Sequence, residues 1–137
     1  MNLSRLVYHS QRNRSVALDT KQLIATAQRC NLRDSLTGML HFDGQSFIQV
    51  LEGGRAELSA TFLRIAQDPR HTNLILISCT EVRERLFPSW SMGLHENSDQ
   101  RVKDTYMRYF AGAKIDPKLV NVDSLLDVLQ DLAVELA

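Results

Sequence analysis

No apolar run in this chain approaches the roughly 18 residues that a membrane-spanning helix requires. No secretory leader is expected either, because the N-terminus goes straight into Arg5-Leu6-Val7-Tyr8. A cytoplasmic domain is the expectation. Neither sign of charge dominates, with Lys plus Arg at 16 and Asp plus Glu at 16, so neither a nucleic-acid-binding surface nor a polybasic membrane patch is expected. Cysteine is scarce. Cys30 and Cys79 lack CxxC spacing and stand in helical or apolar context, which predicts buried thiols in a reducing compartment rather than a disulfide. Glycine-rich phosphate loops are missing, and so is a Gly-x-Ser-x-Gly elbow. The histidines His9, His41, His71 and His95 show no metal-ligand spacing, and neither cysteine has a basic neighbour to activate it. Phosphate-loop, metal-dependent and nucleophilic hydrolase chemistry therefore have no visible site.

What is present is an ordinary globular composition over 137 residues, 44% hydrophobic and 23% charged, enough for one domain with a substantial core. A first strand is predicted from about Leu3 to His9, with Leu6, Tyr8 and Ser10 on one face and Arg5, Val7 and His9 on the other. A helix begins near Asp19, where Gln22 completes a capping-box pattern, and its stripe runs Leu23, Ile24, Ala27, Cys30. A second strand spans 36–42, Asp43-Gly44 marks a hairpin, and 46–53 is the returning strand. A second helix covers about 56–67 and stops at Asp68-Pro69. The dense Leu74–Cys79 run predicts a central strand, and 89–94 a short one with Trp90, Met92 and Leu94 on one face.

This order, β-α-β-β-α-β-β, predicts an α+β, ferredoxin-like fold with an added fifth strand. From Asn97 the chain changes to two amphipathic helices. One carries Val102, Tyr106, Tyr109 and Phe110; the other carries Val122, Leu125, Leu126, Leu129, Leu132, Ala133 and Leu136, with Asp123, Asp127, Asp131 and Glu135 outward. The expected division is a domain over 1–96 and a helical extension over 97–137. The extension should cover the sheet face opposite the first two helices, because Val7, Ile48 and Val50 are apolar there.

Two polar residues break this pattern. Gln49 shares a strand face with Phe47 and Leu51, and Asn31 closes the apolar stripe of the first helix. Leaving a buried amide group unpaired costs roughly 1–3 kcal/mol per group. If the helices pack on the Tyr8/Gln49 face, then Tyr8, Gln49, Asn31 and the Arg64/Asp68 flank approach one gap lined by Ile24, Ala27, Phe47, Phe62 and Ile65. Such a gap suits a flat heteroaromatic ligand with amide-like edges. Internal satisfaction of the core explains the same residues.

Five motifs occur in order: Leu6-Val7-Tyr8-His9-Ser10; Asn31 followed by Leu36-Thr37-Gly38; Phe47-Ile48-Gln49-Val50-Leu51-Glu52-Gly53; Asp68-Pro69-Arg70-His71; and Arg85-Leu86-Phe87-Pro88-Ser89-Trp90-Ser91-Met92. Together, over residues 2 to about 96, they closely resemble the BLUF family, blue-light sensors that use FAD. The resemblance implies a flavin held between the first two helices. It further implies that Tyr8 gives an electron to the excited flavin and that Gln49 bridges Tyr8 to the ring. Asn31 would read the ring's amide edge, with Arg64, Asp68 and His71 beside the pocket. Trp90 and Met92 would respond to Gln49, through whose hydrogen bonds the absorption shifts to the red, and Ser10 would lie close to Tyr8 and Trp90 as part of the same relay. Cys30 departs from the family, whose members often carry His or Asn there, so no side-chain bond to the ring is expected from it. The resemblance implies a short stand-alone photoreceptor, not an enzyme, signalling to a separate protein through its last strand and tail helices, with self-association expected. Two rivals stand beside it. An acylphosphatase-like enzyme would use Arg12 and Asn31 but lacks the glycine-rich loop; a light-independent regulatory module would bind another small molecule.

Overall fold

The protein is described by a computed structural model over residues 1–96 and 99–134. Asn97, Glu135 and Leu136 lie outside the described residues. Five strands form one sheet in the order β4-β1-β3-β2-β5: β1 is Ser4–Arg12, β2 Thr37–Phe42, β3 Ser46–Gly53, β4 His71–Glu81 and β5 Gly93–Glu96. The first four strands pair antiparallel, as expected for the ferredoxin-like arrangement, and β5 joins β2 in parallel. The β2–β3 hairpin turns at Asp43-Gly44. The Asp43 carboxylate accepts from the backbone N–H groups of Gln45 and Ser46, and Gly44 takes φ +98°, a conformation that glycine adopts without steric cost.

Helix α1 (Thr20–Asp34) starts where Asp19 accepts from the Gln22 amide, so the predicted cap is in place. With α2 (Arg55–Ala66) it covers one sheet face, where Ile24 and Leu58 pack on Leu40, Phe42, Phe47 and Leu51. The other face is covered by α4 (Val122–Val134): its Leu125, Leu126, Leu129 and Ala133 pack on Val7, Met39, Ile48 and Val50. Helix α3 (Gln100–Tyr109) lies on α4 through Val102 and Tyr106 against Val128 and Leu132. Asp131 faces α3 instead of open solvent, accepting from the Tyr109 hydroxyl at 2.6 Å. The alternation of β1 and β3 thus sets two layers, as their sequences predict.

Several expectations are corrected. β4 is an edge strand and not a central one; its apolar run stays half-exposed because only β1 flanks it, and Leu76 is 49% exposed. Neither thiol is buried: Cys30 is half-buried on α1, and Cys79 is exposed on β4. The last strand is Gly93–Glu96, not 89–94, because the chain from Leu86 is bent around the Glu52 carboxylate. That carboxylate is fully buried and accepts from the Leu86 N–H (2.8 Å), the Phe87 N–H (2.9 Å) and Arg5 Nε (2.9 Å). Trp90 and Met92 therefore precede the strand and do not share a face. His41 in β2 and His95 in β5 are both buried.

Candidate functional site

Tyr8 and Gln49 are paired across β1 and β3, so their side chains emerge side by side on the α1/α2 face. Both are buried, Tyr8 4% and Gln49 6% exposed. The Tyr8 hydroxyl donates to Gln49 Oε1 in a short hydrogen bond. Gln49 Nε2 donates in turn to the thioether of Met92 at 3.5 Å. Sulfur is a weak acceptor, so one end of this amide is held firmly and the other loosely. Burial, with the Asp68 carboxylate adding to it, pushes the Tyr8 phenol well above its usual range. Its ground state is the neutral phenol.

Above this pair, between α1 and α2, lies a cleft open to solvent. Ile24, Ala27, Leu40, Phe47, Leu51 and Ile65 give it apolar walls, while Asn31, Gln49, Arg64, Asp68, Arg70 and His71 bring polar groups to it. Leu23, Ala27 and Cys30 are half-buried in α1 because they face this opening instead of the sheet. Apolar walls with a few convergent amide, guanidinium and carboxylate groups fit a flavin ring, whose faces are apolar and whose pyrimidine edge alternates donors and acceptors.

The remaining predicted residues fall in three places. Asn31 is 3% exposed and spends one amide hydrogen on the Ser91 carbonyl at 2.7 Å, leaving its carbonyl oxygen and second hydrogen for the cleft. Gln28, one turn earlier, holds the Met92 carbonyl at 3.1 Å, so α1 grips the segment entering β5 twice. His71 stands between Ser10 Oγ (Nδ1 at 2.7 Å) and the Ile65 carbonyl (Nε2 at 2.6 Å). It joins the first turn of β4 to β1 and α2, with its ring edge toward Tyr8.

The Arg64/Asp68 flank divides between other partners, and two expected neighbourhoods, Ser10 with Trp90 and Trp90 with Met92, are corrected. Arg64 does not pair with Asp68. Asp68 is bound by Arg70, Nη2 to Oδ2 2.6 Å, which holds the carboxyl below the usual range, while Arg64 reaches Thr61 Oγ1 at 3.1 Å and Asp34 at 4.0 Å. Ser10 meets His71, not Trp90. Trp90 turns to the opposite face, covers Gly93 and packs beside Phe87 in the α4 cluster, whereas Met92 packs beneath the cleft. Sequence reasoning missed Arg70 and Thr61 as lining residues. Arg70 belongs to the Asp68-Pro69-Arg70-His71 motif, but only the turn at Pro69-Arg70 brings its side chain back onto Asp68; Thr61 carries no pattern that marks it.

Comparison with known proteins follows this geometry. The family model "BLUF: Sensors of blue-light using FAD" matches residues 3–93. The photoactivated adenylate cyclase subunit beta of Euglena gracilis is 40% identical over 93 residues, 66% of this chain and 11% of that protein. The blue light- and temperature-regulated antirepressor BluF of Escherichia coli K12 is 31% identical over 103 residues, 71% of this chain and 26% of that protein. The chain thus spans about a tenth to a quarter of the curated relatives it matches. Among solved structures, BlsA in its photo-activated state superposes with TM-score 0.86 at 26% identity, covering 98% of this chain and 96% of that one. The dark-state BLUF protein BlrB gives TM-score 0.77 at 27% identity, covering 95% and 96%.

Proposed function

This chain belongs to the BLUF family, sensors of blue light using FAD, and from that premise we propose how its own residues sense and pass on light. The observation that carries the reading is the buried Tyr8–Gln49–Met92 chain at the floor of the cleft. We propose FAD as the ligand, its ring between α1 and α2, with the Asn31 carbonyl oxygen and the Arg64, Arg70 and Asp68 groups at its polar edge and His71 beside it. The bound flavin supplies a strong oxidant once blue light excites it.

Tyr8 is placed to be the electron donor. An oxidised phenol is strongly acidic, so its proton leaves along the hydrogen bond to Gln49 Oε1. With its electron and proton restored, Tyr8 would again be a neutral phenol, and the Gln49 amide would be left rotated or tautomerised with a donor turned toward the cleft. That new hydrogen bond shifts the absorption to the red. Giving up a thioether acceptor costs Gln49 little, which makes Nε2 the mobile end of the amide. Met92 and the segment held by Gln28 and Asn31 respond, and Trp90 carries the response to the α4 side.

In this reading residues 1–96 are the sensor and 97–137 its output extension. The cyclase subunits and the antirepressor among the relatives support a receptor whose product is an altered contact with an effector, here a separate protein. Self-association and a cytoplasmic location complete it; among the described residues no helix is long and apolar enough to cross a membrane. The test is a spectrum of the purified chain with its extracted chromophore identified. A yellow protein releasing FAD, with an absorption band that moves to the red under blue light, is expected. A colourless chain that takes up no flavin, or one selecting FMN, would refute the FAD assignment.

A further inference from the structure

On the α3/α4 face, one residue along the sheet from the Tyr8–Gln49 row, lies a second polar row. His41 and His95 are partners in the parallel β2–β5 register, and they are 1% and 3% exposed. Their Nδ1 atoms are 3.1 Å apart, and His41 Nε2 lies 2.6 Å from the Tyr106 hydroxyl of α3. The rings are close and tilted, His41 to His95 at 5.0 Å between centroids, and His41 edge-on to Tyr106 at 6.0 Å. Tyr106 passes the apolar α3–α4 contact with Val128 and Leu132 and reaches the sheet beyond it.

His41 Nδ1 also lies 3.4 Å from the His95 carbonyl oxygen, so a hydrogen on it meets two acceptors of His95. An Nδ1···Nδ1 hydrogen bond needs one proton between the two nitrogens, because two donors repel and two acceptors do not bind. With His41 donating to His95, Nε2 of a neutral His41 accepts from Tyr106. With His95 donating to His41, Nε2 of His41 carries the hydrogen and donates to the Tyr106 oxygen. Both arrangements hold the same number of protons. Such a chain is made or broken, whereas the leucine and valine contacts of α4 can slide. His95 lies three residues after Met92, on a strand that begins where the Gln49 contact ends. A displacement of β5 along β2 therefore changes the Nδ1–Nδ1 separation directly, and His41 passes that change to α3.

We propose that His95, His41 and Tyr106 form a positioning chain that couples β5 to helix α3, so that rearrangement at Met92 alters how α3 is held on the sheet. This rests on the photosensor reading of the Tyr8–Gln49 site. The test uses the full chain with its flavin, following the red shift by absorption and the amide exchange of residues 100–109 in dark and light. The wild type should show both the red shift and a light-induced change in α3 exchange. Tyr106→Phe should keep the red shift and lose the α3 change; a variant that keeps both overturns the coupling. A wild type with the red shift and a static α3 overturns the coupling alone, while one with no red shift overturns the site reading and the coupling with it. If Tyr106→Phe fails to fold, nitrogen-15 shifts of the imidazoles decide in the wild type. Movement of the His41 and His95 signals on illumination supports the chain, and unmoved signals overturn it.

Discussion

Trp90 and Met92, two positions apart, lie on opposite faces of the sheet. Met92 accepts from Gln49 under the cleft, and Trp90 packs with Phe87 toward α4. In a strand their side chains would share a face. They do not because the chain is still bent there, with Glu52 holding the backbone of Leu86 and Phe87. Substitutions at these two residues should therefore separate. Trp90→Ala should leave the photochemistry intact and lower stability by about 2 kcal/mol, less than a fully buried tryptophan would cost. Met92→Leu keeps volume, so its stability change should stay below about 1.5 kcal/mol. It also removes the dark-state acceptor of Gln49, so thermal recovery after illumination should slow about two- to fivefold, from a loss of ~0.5–1 kcal/mol. Denaturant titration and recovery kinetics check the pair.

Gln49→Leu should retain flavin, because the apolar walls and the other polar groups of the cleft are untouched, yet abolish the light-induced red shift. It also leaves the buried Tyr8 hydroxyl without its acceptor, at a cost of about 1–3 kcal/mol. Difference absorption spectra decide; a persisting shift would refute Gln49 as the switch.

Glu52→Ala removes the acceptor of two backbone N–H groups and of Arg5 at a fully buried position. Breaking a buried pair from one side costs about 3–5 kcal/mol. Chemical denaturation should show a loss of that size, and limited proteolysis should find new cleavage between Leu86 and Trp90.

His9 gives a pH dependence. It is 5% exposed with Nδ1 unpartnered, and burial pushes its imidazole below the ordinary value against the opposing pull of Asp43 and Asp116. The unfolded chain takes up the proton first, near pH 6.5, as the pH falls, so stability is full above that value and is lost toward the lower folded value. The thermal midpoint should drop between about pH 7.5 and 5.5. His9→Leu should reduce that slope; an unchanged slope would assign it elsewhere.

Much of this was legible in the sequence. Alternation in β1 and β3 assigns Tyr8 and Gln49 to one layer and Val7, Ile48 and Val50 to the other, since two-residue periodicity is local information. Asn31 betrayed itself as a polar residue in an apolar stripe. What escaped depends on distant partners. The bend before β5 is imposed by a carboxylate 34 and 35 residues away in sequence. His41 and His95 each look unremarkable until a parallel register of β2 and β5 sets them face to face. The edge position of β4 was missed because a dense apolar run signals burial, while half of that strand's environment depends on whether a second neighbour exists.

β5 is a four-residue strand with β2 as its single neighbour in the sheet among the described residues, joined in parallel. Opening it leaves the β4-β1-β3-β2 ladders whole, so its local unfolding free energy is a fraction of the global value. For a domain of this size that global value is about 5–15 kcal/mol. In the proposed photocycle a hydrogen-bond rearrangement at Gln49, about 1 kcal/mol for each bond changed, is small against the whole fold and comparable with the fraying of this one edge. Light can therefore shift the open population of β5 substantially while the flavin cleft and the four-stranded sheet keep their native protection.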